Sequence, residues 1–193
     1  MKDPTAPEIK PIEPTPVTVN PNHSALLVLE LSQYLADPEY MAAPLAPGIT
    51  RLLEKARVAG ALIVFTIPHP WKGKPHGQVY SGFERRPCEP VFFPPSFDKF
   101  AGGQLQGLLG LYDIKTLILT GCKANMAILY TATSAVREYK YDVIIPVDGI
   151  AATTTYEKEY TLYQFRAYPD GSTKRFTFTT LDMIHFQRCE RKD

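Results

Sequence analysis

Four short apolar runs separated by helical patterns constrain this chain more than any other feature. They fall at residues 25–31 (ALLVLEL), 61–67 (ALIVFTI), 114–120 (IKTLILT) and 142–147 (DVIIPV). Each is too short for a helix and too continuously apolar for a half-exposed strand, so each predicts a strand buried on both faces. The intervals read as helices. Pro47 and Gly48 open one that runs through Leu52, Leu53 and Ala56 and stops at Gly60. A second carries Leu105, Leu108, Leu109 and Leu111, and a third, capped by Asn125, has the stripe Ile128, Leu129, Ala132, Ala135, Val136 and Tyr139. A more polar helix over 156–168 is broken at Pro169-Asp170-Gly171, and residues 174–180, with Phe176 and Phe178 alternating, read as an edge strand. Alternation of this kind predicts an α/β fold, a parallel sheet with helices on both faces. Ligands of such a fold bind at the carboxyl ends of the strands.

At 193 residues the chain fits one domain. Six prolines stand before residue 22, too dense for a helix or a regular ladder. The expected division is an extended or disordered arm over 1–22, the α/β domain over 23–185 and a polar tail over 186–193. The arm is read either as disordered or as lying across a neighbouring subunit. With 21 basic and 20 acidic residues the net charge is +1, which gives no reason to expect nucleic acid or an anionic membrane as partner. No run approaches the roughly 20 apolar residues of a membrane span, and the N-terminus lacks an apolar signal segment. Cys88, Cys122 and Cys189 match neither a disulfide framework nor a zinc site, so the expected setting is cytoplasmic and reducing. No cofactor motif occurs: Gly102-Gly103 has neither the GK[ST] ending nor the GxGxxG spacing of a phosphate loop, and no GxSxG elbow is present.

Three places fall where the fold builds its site. Glu30 is a carboxylate near the end of an apolar strand; desolvation there favours its neutral form and suits a general acid or base. The competing reading is structural, a carboxylate paired with a buried Lys or Arg. The second place is the turn Cys122, Lys123, Ala124, Asn125, Met126 and Ala127, whose backbone amides suit an anion. Ala127 stands where a cysteine thiolate would be stabilised, and Cys122 reads as a small buried hydrophobe. The third is the loop over 68–99, with His69, Trp71, Lys72, Lys74, His76 and Lys99. A loop this long in a compact domain is usually functional. His69 and His76 lack the further ligands a metal needs, so no metal is expected. Trp71, Tyr80, Phe92 and Phe93 mark either a subunit interface or packing over the chain's own core.

Residues 25–30 (ALLVLE) stand where the isochorismatase-like hydrolases typically read Ala-Leu-Leu-Val-Ile-Asp. Phe100 to Leu105 before a leucine-rich helix, Leu117 to Gly121, Asn125, Thr131-Ala132, Ala135 and Val147-Asp148-Gly149 also resemble that superfamily in order and spacing, over about residues 23–182. The resemblance implies a Rossmann-like three-layer sandwich assembled as a homo-oligomer, dimer or tetramer. It also implies a catalytic Asp, Lys and Cys, and this sequence departs at each. The aspartate position is Glu30, the lysine position falls on Pro94 with Lys99 the nearest lysine, and the cysteine position is Ala127. Thiolate attack on an amide needs a nucleophile, and losing one costs on the order of 10⁶ in rate in a tested protease. Cysteine amidohydrolysis through Ala127 is excluded. Three expectations remain: a degenerate member that binds a small molecule or serves assembly; a cysteine-independent hydrolase resembling isochorismatases proper, which protonate a vinyl ether by a carboxylate, with Glu30 as general acid and Lys99 beside it; or an unrelated activity using Cys122, His69 or Lys99.

Overall fold

Continuous apolar runs need cover on both sides, and the alternation of side chains along each strand supplies two cores. The computed structural model describes residues 11–169 and 171–188. The central strand β2 (Ser24–Leu29) is buried throughout. Ala25, Leu27 and Leu29 face one core; Leu26 and Val28 face the other. β2 lies parallel between β3 (Leu62–Thr66) and β5 (Thr116–Cys122). Beyond them the main sheet continues to β4 (Val91–Phe92) on one side and to β6 (Asp142–Pro146) and β8 (Phe176–Thr179) on the other, all parallel. The short β7 (Ile150–Ala151) pairs with the end of β5.

Helix α1 (Ala46–Ala59) buries Ile49, Leu52, Leu53 and Ala56 against one face. It stops where Gly60 takes the left-handed conformation, φ 77°, that closes a helix without Cβ strain. Helices α2 (Gln104–Leu111), α3 (Leu129–Arg137) and α4 (Thr155–Ala167) cover the other face through Leu105, Leu109, Ala132, Ala135, Val136 and Phe165. The α/β fold expected from the sequence, a parallel sheet with helices on both faces, is the fold observed. No helix among the described residues is long and apolar enough to cross a membrane.

Several features differ from the sequence expectation. β4 lies inside the supposed loop; flanked by Pro90 and Pro94 and only two residues long, it has no periodicity to read. The described part of the proline-rich segment includes β1 (Val17–Val19), which pairs in parallel with β9 (Ile184–Phe186) of the same chain. Val19 and Ile184 are buried with α1 in one core. Residues 1–10 and 189–193, with Cys189, lie outside the described residues. Asn125 does not cap α3: a turn of π-helix over Ala124–Ile128 precedes it, and the chain enters that turn through Lys123. Tyr139, expected in the buried stripe, is 37% exposed and stacks on Phe100 at 4.5 Å between ring centres.

The loop over 68–99 packs largely on its own domain. Tyr80 meets Phe83 edge-on at 5.2 Å, and Phe83, fully buried, stacks on Phe65 of β3. Glu89 receives the Arg57 guanidinium at 2.7 and 3.0 Å and the Arg86 amide at 2.8 Å, tying the loop to α1. Burial opposes ionisation of Glu89, but the Arg57 fork and the Arg86 amide outweigh it and hold the carboxyl below its usual range.

Candidate functional site

All the strands of the main sheet point the same way, so their carboxyl ends gather the loops that carry polar side chains. Glu30 follows β2 directly and has φ 59°. A non-glycine residue in that left-handed region stores about 1–3 kcal/mol of strain, a cost met most often at functional sites. Its amide donates to the Thr66 carbonyl at 2.8 Å, and its carbonyl accepts from Cys122 Sγ at 3.5 Å. The Glu30 side chain is 12% exposed and its carboxylate accepts directly from Lys99 Nζ.

Lys99 is 1% exposed. A buried ammonium needs partners, and it also donates to the Ser96 carbonyl at 3.0 Å. The segment that delivers it is stapled to α3. Thr131 Oγ1 accepts from the Lys99 amide at 3.1 Å and donates to the Phe97 carbonyl at 3.3 Å. Asp98 accepts from Ser134 Oγ at 2.7 Å and from the Phe100 amide at 2.9 Å. A lysine next to Phe100 thus reaches the carboxylate although the position expected from the family pattern is Pro94.

At the end of β5, Gly121 lies against β2 with φ 120°. The next peptide bond, Cys122-Lys123, is cis. The Lys123 carbonyl accepts from the Met126 amide at 3.1 Å and the Ile128 amide at 3.3 Å. Asn125 Nδ2 donates to Glu157 at 3.1 Å; Glu157 also completes a capping box with Thr154, so the turn is fastened to the start of α4. Ala124 and Ala127 are fully buried in the core that contains Leu29 and Phe100.

Cys122 is 2% exposed, and its sulfur lies 3.4 Å from the Tyr40 hydroxyl. Burial pushes the thiol up to about 11, against which the Tyr40 hydrogen bond acts only in part. Burial, with Cys122 beside it, also raises Tyr40. Aromatic contacts extend outward from there: Tyr40 to Tyr34 at 5.8 Å, Tyr34 to Trp71 at 5.2 Å and Trp71 to His76 at 5.6 Å. His69 is exposed and stands outside this series. Among the described residues, no group of three or more His, Cys, Asp or Glu is placed to hold a metal.

A thiol of this kind is nearly all protonated at neutral pH, and the thiolate is the nucleophile. Iodoacetamide at pH 8 is therefore expected to modify the exposed Cys88 of the native protein while sparing Cys122. Residual modification of Cys122 should rise about tenfold per pH unit between pH 7 and 9. Peptide mass spectrometry of native and urea-treated samples checks this, with Cys122 labelled freely only in urea.

The structure thus joins Glu30, Lys99 and Cys122, places Ala127 in the adjoining core, and leaves His69 apart. Sequence reasoning missed Tyr40, Thr66, Asp98 and Ser134, and had Thr131 only as part of the family resemblance, with no role given to it. Thr131 and Ser134 had a readable signal: two hydroxyls on the buried, otherwise small and apolar stripe of α3. Tyr40 had none, because it reaches Cys122 across 82 residues.

Residues 24–172 match the family model described as Isochorismatase domain. A comparison with curated protein sequences finds no match. Among solved structures, an isochorismatase family protein from Desulfovibrio vulgaris is similar with a TM-score of 0.73 and 22% identity, over 83% of this chain and 95% of that one. A cysteine hydrolase from Pseudomonas syringae gives 0.74 at 18% identity, over 90% and 95%. A nicotinamidase from Staphylococcus aureus gives 0.70 at 19%, over 82% and 99%. At such identities the likeness establishes the fold and not the reaction. Matched by that family's model over well beyond half its length, the chain belongs to the isochorismatase family.

Proposed function

We propose that this chain is a member of the family without cysteine-hydrolase chemistry, acting as a small-molecule-binding or assembly protein. The observation that carries this reading is Ala127, a methyl side chain fully buried in the core at the place the resemblance gives to the nucleophile. Cys122 does not replace it, being buried and held as a thiol. Glu30 is engaged by Lys99, as a structural carboxylate would be. Ligand binding is supported by two buried polar atoms without a hydrogen-bond partner among the described residues, Thr66 Oγ1 and Asn125 Oδ1. Thr66 pairs in register with Leu29, next to Glu30, and Asn125 stands two residues before Ala127. Buried polar groups are nearly always paired, and a ligand's own donors can serve them. The free thiols of Cys88 and Cys122 accord with a cytoplasmic setting. Homo-oligomerisation is supported by exposed stacked pairs, Phe97 with Tyr130 and Tyr156 with Tyr160.

A second reading rests on one contact. Lys99 and Glu30 meet although the lysine has moved along the chain, so a carboxylate and an ammonium stand together at the strand ends. That pair suits acid-catalysed hydrolysis of a small carboxylate-bearing vinyl ether, with Glu30 as general acid. A panel of amides and vinyl ethers offered to the full-length protein and to Glu30→Gln separates the two. The expected result is no turnover above buffer for either protein. Vinyl ether hydrolysis that disappears in a folded Glu30→Gln variant would establish the second reading.

A further inference from the structure

The residues that lead into β2, β3, β4 and β5 surround a cleft of about 440 Å³. Pro21, Leu62, Ile63 and Ile114, buried or half-buried, give it an apolar floor; Arg86, Cys88 and Tyr112 are exposed along its rim. These four strands run parallel, so the cleft lies at the amino ends and Glu30 at the carboxyl ends. The six residues of β2 separate the two places by on the order of 20 Å.

The wall that carries Arg86 is fixed through its backbone. Residues 86–89 form a turn closed by the Glu89 amide on the Arg86 carbonyl at 3.0 Å, with Pro87 at the position where its ring suits a turn. Arg85 Nη1 donates to the Arg86 and Glu89 carbonyls at 3.0 and 2.6 Å, and the Arg86 amide donates to the Glu89 carboxylate at 2.8 Å. The lining holds two guanidinium groups, Arg57 and Arg86, against the single carboxylate of Glu89. That carboxylate is already matched: Arg57 donates to one oxygen through Nε and to the other through Nη2. The Arg86 guanidinium is therefore surplus, and it has no hydrogen-bond partner among the described residues. The Tyr112 ring, 53% exposed, has no ring neighbour among them either.

We propose that this cleft binds a small carboxylate with a flat apolar body. A guanidinium presents parallel N–H donors that match the two oxygens of a carboxylate. The apolar floor takes the body of the molecule out of water, and the Tyr112 ring gives a flat group a face to stack on. Clefts that hold small molecules measure about 300–1,000 Å³ and combine apolar walls with a few polar groups, as this one does. The site is distinct from the Glu30 end of the sheet and does not depend on what that end does.

The cleft carries its own reporter, since Cys88 on its rim is a free, exposed thiol. The test follows the rate of Cys88 alkylation by iodoacetamide in the full-length protein as sodium benzoate is added, with sodium chloride at equal ionic strength as the reference. Saturable slowing is expected with benzoate and none with benzyl alcohol, which has the same ring without the charge. Arg86→Gln should raise the benzoate concentration needed for half protection by about tenfold or more. Because the Arg86 side chain has no partner within the described fold, that variant should keep the urea midpoint of the unaltered protein. Lys123→Asn, in the turn after β5, should leave the protection unchanged. Absence of saturable slowing, equal protection by benzyl alcohol, full protection in Arg86→Gln, or loss of protection in a folded Lys123→Asn variant would each overturn the proposal.

Discussion

Replacing Lys99 with methionine is expected to lower folding stability by about 3–5 kcal/mol, because it leaves the Glu30 carboxylate buried without its counter-charge. Lys99 is 1% exposed and the Glu30 side chain 12%, so water can do little in place of the ammonium. For a domain near this size the loss corresponds to a fall in Tm on the order of 10 °C. The penalty belongs mainly to the stranded charge and not to the missing side chain. Glu30→Gln combined with Lys99→Met should therefore recover a large part of the stability lost by Lys99→Met alone. Urea unfolding of the two variants at pH 7 measures the difference. Equal stability of Lys99→Met and the unaltered protein would show that the pair is dispensable to the fold, and would make its retention harder to explain by structure.

Gly121→Ala should be more damaging still, with a loss above about 4 kcal/mol or failure to fold. Gly121 ends the interior part of β5 and pairs with Leu29 of β2. A Cβ there would lie 2.0 Å from the Leu29 carbonyl oxygen and 2.9 Å from its nitrogen, and these are backbone atoms of the central strand that cannot rotate away. The φ of 120° adds a second penalty for any residue with a Cβ. Gly107→Ala is the contrast. Gly107 sits within α2 with nothing inside 4 Å of the added methyl, so alanine should stabilise by roughly 0.5–1 kcal/mol. Soluble yield and urea midpoints of the two variants, side by side, separate a close approach of backbones from the general cost of glycine.

The layered fold was legible because burial on both faces leaves a mark that needs no partner to interpret. Five of the strands of the main sheet carry runs or alternations long enough to count, and Gly60 closes α1 in the usual way. β4 and the β1–β9 pair were not legible, since two or three residues hold no period and their existence depends on a neighbour far along the chain. The site divides along the same line. Glu30 stood out as a charge at the end of an apolar strand, and Ala127 as a residue unable to act. That Lys99 would turn inward was not legible, because its course is set by Thr131 and Ser134 on a helix more than 30 residues later. Asn125 was misread for a related reason: its side chain finds Glu157 of α4 instead of a backbone amide of its own turn.

The parallel pairing of Val17–Val19 with Ile184–Phe186 also determines how the molecule would carry a mechanical load. Because the two strands run in the same direction, the chain enters one at residue 17 and leaves the other at residue 186, at opposite ends of the short ladder. Tension applied through the two ends would slide these strands past one another, loading their hydrogen bonds together and not one after another. Val19 and Ile184, packed against α1, would resist that sliding as well. The ladder is thus a shear clasp near the ends of the fold, loaded together with the bond from the Thr15 amide to the Phe178 carbonyl of β8.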